Sequence, residues 1–183
     1  MHQLSQRNAI EIFDYSKSKI HGGSMMVFVR KNKNFNKKKL IKIKKIINIE
    51  KKYGFNTVVP YKKFSDNVKN IKFKLNKIVK KILKNKKSIA VYGASDRGLT
   101  LINYCKFTNK HFLFVIDQNT FKQGLYFSGT GLKIHSIKKL KEKEPDYIFL
   151  GAWNFKSEII NSIKKMNIKS KYIIPLPIPK VIN

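Results

Sequence analysis

Gly93-Ala94-Ser95-Asp96-Arg97-Gly98 follows the apolar run Ser88-Ile89-Ala90-Val91-Tyr92 and opens a helical pattern, the place where a strand-to-helix turn meets ligands. Gly93 permits a sharp turn. Gly98 permits either close helix packing or backbone approach to a phosphate, the N–H groups of the first helical turn attract anions, and Arg97 adds a charged fork. Leu99-Thr100 stands where a P-loop has lysine followed by serine or threonine, which argues against a Walker-type nucleotide triphosphatase. Ser95 occupies the middle glycine of a G-x-G-x-x-G pattern, so the match to an NAD site is weak. Asp117 lies nineteen residues after Gly98, at the end of the next apolar run, where a dinucleotide fold places its ribose-binding acid.

Each feature also has a plainer explanation. The turn also reads, less strongly, as an ordinary βα connection capped by Asp96, and Asp117 as a solvated strand end. Lys122 and the loop Ser128-Gly129-Thr130-Gly131 are placed to close over a ligand, although flexible loops share that composition. Trp153-Asn154 offers an aromatic face beside an amide, suited to a base or sugar ring, or else a tryptophan wedged into the core. No Ser/His/Asp or Cys/His set suggests a nucleophile.

The elements that must position these residues follow β-α-β grammar. Apolar runs at 88–92, 112–116, 146–150 and 172–174 predict strands, with a further short one at 132–134. Helical patterns fall at 99–107, 137–143 and 156–166. Continuously apolar runs predict a parallel sheet covered on both faces, hence a Rossmann-like α/β fold over residues 88–177. Upstream, 65–84 carries Val68, Ile71, Leu75, Ile78, Val79 and Ile82 at helical spacing, and 37–52 carries Leu40, Ile43, Ile46 and Ile47. Residues 10–14 and 25–30 read as strands joined through His21-Gly22-Gly23-Ser24, and 1–9 as a short helix. The expected organisation is a hairpin region (1–32), a basic helical connector (33–87), the Rossmann-like domain (88–177) and a Pro-rich tail (178–183).

The net charge of +30 suggests nucleic acid or an anionic surface when taken alone. Only Arg7, Arg30 and Arg97 are arginine, however, and the remaining 37 of 40 basic residues are lysines. They travel with abundant isoleucine, asparagine and phenylalanine, which share A/T-rich codons. A nucleic-acid protein uses arginine more often, so a solvated lysine surface is the expectation. No run of residues is long and apolar enough for a membrane span, and the first residues lack an apolar signal core, which predicts a cytoplasmic protein. Cys105 is the single cysteine and reads as a buried helix residue; with four scattered histidines it builds no metal cluster.

Several ordered motifs together resemble the C-terminal domain of S-adenosylmethionine-dependent sugar C-methyltransferases. They are Val91-Tyr92-Gly93-Ala94-Ser95-Asp96-Arg97-Gly98, Asn103-Tyr104-Cys105, Ile116-Asp117-Gln118-Asn119, Lys122-Gln123-Gly124, Pro145-Asp146-Tyr147 and Ala152-Trp153-Asn154-Phe155-Lys156-Ser157-Glu158-Ile159. His21-Gly22-Gly23-Ser24 with Val27-Phe28-Val29 is similar to the last strands of the same enzymes' methyl-transfer domain. The resemblance implies methylation of a carbon of a nucleotide-linked deoxyketosugar, with this domain helping to bind the sugar nucleotide. Gly93, Ala94, Ser95, Arg97, Gly98, Asp117, Asn119, Lys122, Trp153 and Asn154 are then the substrate-binding candidates, Arg97 as a contact to diphosphate. The family's zinc-binding cysteines, its glycine-rich S-adenosylmethionine loop and its Tyr-His-Glu-His segment lie upstream of the part matched here. The expectation is therefore an N-terminally truncated chain that is not catalytic alone, binds no cofactor by itself, and either is a fragment or complements a separately encoded N-terminal half.

Overall fold

The computed structural model describes residues 7–8, 10–19, 23–31 and 41–183. The short helix expected at 1–9, the turn at His21-Gly22 and the contribution of Leu40 lie outside the described residues. The chain divides into two compact units, Met1–Asp66 and Asn67–Asn183.

In the first unit, β1 (Ile10–Ser18) pairs antiparallel with β2 (Ser24–Lys31), longer than the apolar runs alone indicate. The register shifts between Ile12 and Asp14, leaving Phe13 on a bulge. Ile12 is buried with Ile43 of α1 (Ile41–Lys52), and Tyr15, Val27 and Ile47 pack against them. The buried Glu11 carboxylate accepts from the Arg30 guanidinium at 2.7 Å.

The helix expected at 65–84 starts earlier, as α2 (Val59–Lys84). Pro60 does not interrupt it, because a proline near a helix start lacks only an N–H that has no intrahelical partner there. Within the second unit α2 buries Leu75, Val79 and Ile82, the stripe its spacing prescribes, while the lysines between them point to water.

The second unit holds β3 (Ile89–Tyr92), α3 (Asp96–Cys105), β4 (Val115–Ile116), β5 (Tyr126–Phe127), β6 (Leu132–His135), α4 (Lys138–Lys143), β7 (Tyr147–Leu150), α5 (Lys156–Lys164), β8 (Lys171–Ile174) and β9 (Lys180–Ile182). These strands form one sheet in the order β5-β6-β4-β3-β7-β8-β9. The five central strands are parallel, as continuously apolar runs require, and β5 and β9 add antiparallel edges. Regular strand β4 is shorter than the 112–116 run, yet Leu113 N donates to Ile89 O and Val91 N to Phe114 O, so the whole segment is held beside β3.

Alternation within each strand divides the core in two. Ile89, Val91, Val115, Phe149 and Ile173 face the layer of α2 and α3, where Phe107, Phe112 and Phe149 meet with ring centroids 5.1 to 6.5 Å apart. Ala90, Tyr92, Ile116, Ile148, Leu150 and Ile174 face the layer of α4 and α5, with Leu140, Ile159 and Ile163. The result is the helix-sheet-helix arrangement of a Rossmann-like fold. At the amino ends of β3 and β7, Asp146 accepts from Lys87 Nζ, Ser88 N and Ser88 Oγ, each at 2.8 Å, and those bonds hold its carboxyl down at about 2.

Candidate functional site

The chain runs from β3 outward through β4 to β6, then crosses back to place β7 on the other side of β3. This reversal leaves a gap at the carboxyl ends of β3 and β7, because the following helices leave the sheet on opposite faces. A crevice of about 350 Å³ opens there. Tyr92, Gly93, Asp117 and Gln118 line one side, and Ala152, Phe155, Glu158 and Ile159 the other. A much smaller concavity of about 30 Å³ adjoins it, sharing Ala152 and Phe155 and lined also by Ser95, Arg97, Gly151, Trp153 and Asn154.

The β3–α3 turn is built by close backbone packing. Gly93 has φ +96°, and a Cβ there would lie 2.6 Å from Ala152 Cβ. A Cβ on Gly98 would lie 2.7 Å from Gly151 O, and one on Gly151 would overlap Gly93 O. Of the two uses open to Gly98, close packing is the one realised. Tyr92 O accepts from Gly151 N at 2.8 Å and Ala152 N at 3.3 Å, joining the β3 and β7 exits directly. Ser95 rather than Asp96 caps α3: its hydroxyl accepts from Gly98 N at 3.0 Å and donates to Gly151 O at 2.9 Å. Serine accomplishes both because a hydroxyl donates and accepts at once.

Asp117 also has internal partners. Its Oδ2 accepts from Ala94 N at 2.7 Å and its Oδ1 from Asn119 N at 2.8 Å, while one edge still lines the crevice. Each carboxylate oxygen has a second lone pair, so these bonds orient the group without exhausting it. Asn119 Oδ1 accepts from Phe121 N at 3.0 Å and caps the single turn Thr120–Lys122. Lys122 Nζ then reaches back to Ala94 O at 2.8 Å. Among the described residues, Asn119 and Lys122 do not line either concavity; they brace the Gly93–Ala94 turn from the side. Gly98 N and Ala94 N are thus committed within the protein rather than presented to a phosphate.

The remaining candidates divide. Arg97 and Asn154 are exposed on the smaller concavity. Trp153 lines it too but is half-buried against the α5-side core, so the exposed aromatic face at the rim belongs to Phe155, 54% accessible. The Ser128-to-Gly131 loop does not close over the crevice. It joins β5 to β6 and is tied by Asn103 Nδ2 to Ser128 O and by Asn109 N to Thr130 O, at the end of α3 opposite Ser95. Sequence reading missed Gln118, Gly151 and Glu158, although all three stand within or beside quoted motifs. Gln118 donates to Tyr92 OH at 2.9 Å, and burial raises that phenol above the usual tyrosine range.

S-adenosylmethionine is implied for full-length enzymes of the resembled family; at this turn two backbone amides that could meet a ligand, Ala94 N and Gly98 N, already bond Asp117 and Ser95. The Cβ directions of Gly93 and Gly98 meet Ala152 and the Gly151 backbone, so these glycines serve close packing, while Gly93 also borders the crevice. Among the described residues no three His, Cys, Asp or Glu side chains gather to hold a metal ion, and no helix is long and apolar enough to cross a membrane.

The family model for the C-methyltransferase C-terminal domain matches residues 19–177. The C-methyltransferase NovU of Streptomyces niveus is 26% identical over 181 residues, which is 98% of this chain and 43% of that protein. The chain thus spans less than half the length of that relative. With the match extending from β2 through β8, over most of its length, the chain belongs to the C-methyltransferase C-terminal domain family.

Proposed function

We propose that this chain is the sugar-nucleotide-binding part of an S-adenosylmethionine-dependent C-methyltransferase acting on nucleotide-linked deoxyketosugars, and that it transfers no methyl group by itself. The observation that carries the reading is the crevice at the β3–β7 switch point, where Asp117, Gln118, Glu158 and Phe155 converge in a chain of this family. Ligand sites in open α/β sheets concentrate at this position. Within the turn, Asp117, Asn119 and Lys122 hold the crevice wall in shape, and Arg97 supplies positive charge at the adjoining concavity.

The test is calorimetry of the purified chain with thymidine and uridine diphosphate sugars, beside an assay with labelled S-adenosylmethionine and a nucleotide-linked ketosugar. Binding without methyl transfer is the expected result. Turnover by the chain alone would overturn the non-catalytic part of the proposal, and absence of binding the remainder. The greater length of NovU favours a second reading, in which the chain is a binding subunit completed by a separately encoded N-terminal half. Activity appearing on mixing the two halves is its signature, and a mixture without co-purification or activity eliminates it.

A further inference from the structure

The crevice has a charge character opposite to that of the chain. Forty of the 183 residues are lysine or arginine and only ten are aspartate or glutamate. Yet no basic residue lines the crevice, whereas two of the ten acids, Asp117 and Glu158, do. Beside them stand the Gln118 amide and the exposed ring of Phe155. The smaller concavity next door is the reverse: Arg97 lines it, with Ser95 and Asn154, and no acid does.

A diphosphate seated in the crevice would lie between two lining carboxylates, Asp117 and Glu158, whose like charge repels it. Ring hydroxyls, in contrast, donate to carboxylates in charge-assisted bonds, and the amide and aromatic ring supply what the hydroxyls and C–H face of a sugar also need. We infer that the crevice seats an uncharged hydroxylated ring of the ligand, with Glu158 and Asp117 accepting from its hydroxyls, and that the diphosphate lies outside on the Arg97 side. The inference rests on the sugar-nucleotide reading above and assigns its parts. Glu158 becomes a specificity residue contributed by the first turn of α5, and its exposed position makes it replaceable without disturbing the core.

The experiment follows backbone amide shifts of isotope-labelled chain titrated with uridine diphosphate glucose and thymidine diphosphate glucose, for the natural protein, Glu158→Ala, Glu158→Lys and Arg97→Ala. Glu158→Ala weakens binding about tenfold or more, the usual consequence of losing a hydrogen bond to a charged group. Glu158→Lys weakens it at least as much. Arg97→Ala weakens the diphosphate sugars but leaves uridine and methyl glucoside unchanged. Those two neutral probes also decide the source of the ring: the one that shifts Gly93 and Ala152 is the occupant. Tighter binding by Glu158→Lys would place phosphate in the crevice and overturn the inference while leaving the sugar-nucleotide reading intact. Shifts at Gly93 and Ala152 from a neutral ring, with none from either nucleotide sugar, would sink that reading and keep the crevice assignment. If no probe moves these amides, both fall.

Discussion

Replacing Gly98 with alanine separates two explanations of a glycine in the third position of α3. If the position were merely solvated helix, alanine would stabilise it by about 1 kcal/mol through helix propensity. The structure gives the opposite sign. The new methyl would stand 2.7 Å from Gly151 O, 3.0 Å from Gly151 Cα and 3.1 Å from Gly151 C, all backbone atoms that no rotamer change can move. Overpacking of this kind costs about 1–3 kcal/mol, and backbone contact on three atoms places it at the upper end. Separating α3 from the β7 exit also lengthens the Ser95–Gly151 bond. Net of propensity, Gly98→Ala loses about 2 kcal/mol, close to 8 °C in Tm for a unit of roughly 120 residues. Urea unfolding followed by circular dichroism measures it. A midpoint equal to or above that of the natural chain would refute the close-packing account and return Gly98 to the role of an open phosphate approach.

Two further outcomes follow from the ionisable groups. The Asp146 carboxyl, held at about 2 by Lys87 and Ser88 against an ordinary 3.8, stabilises the fold fully above about pH 4, and that contribution disappears as pH falls towards 2. With the side chain 34% exposed, solvent screening leaves about 1 kcal/mol, so Asp146→Asn flattens the acid limb of stability against pH by that amount in denaturant titrations. Cys105 is buried and its thiol is pushed up to about 11, chiefly by burial, so at pH 8 it stays protonated and enclosed. Disulfide-exchange reagents label it only at the rate of unfolding; labelling as fast as in urea would contradict its placement.

The central strands were legible because buried parallel strands are written as uninterrupted apolar runs, and α2 because a one-sided helix repeats every three or four residues. The antiparallel edges β5 and β9 were not, since two or three residues carry no period and β9 follows a Pro-rich stretch that reads as tail. The importance of the 93–98 turn was visible, but its chemistry was misassigned in part. Ser95 and Asp96 are both good caps, and only the position of Gly151 O selects the hydroxyl. Glu158 reads as one more exposed residue at a helix start, because its convergence with Asp117 depends on β7 lying beside β3 rather than on any spacing. Trp153 drew attention by its size, whereas the exposed rim ring is its neighbour Phe155.

The direct joining of the β3 and β7 exits, through Tyr92 O, Ser95 Oγ and three mutually tight glycines, bears on how such a domain could change its preferences over time. A site whose base is strained by any added methyl is poorly remodelled there by small steps, because each step first destabilises what it would improve. Divergence is expected instead at the exposed side chains that line the two concavities: Arg97, Gln118, Asn154, Phe155 and Glu158. Sister domains with different ligand preferences should share the glycines and differ at these five positions.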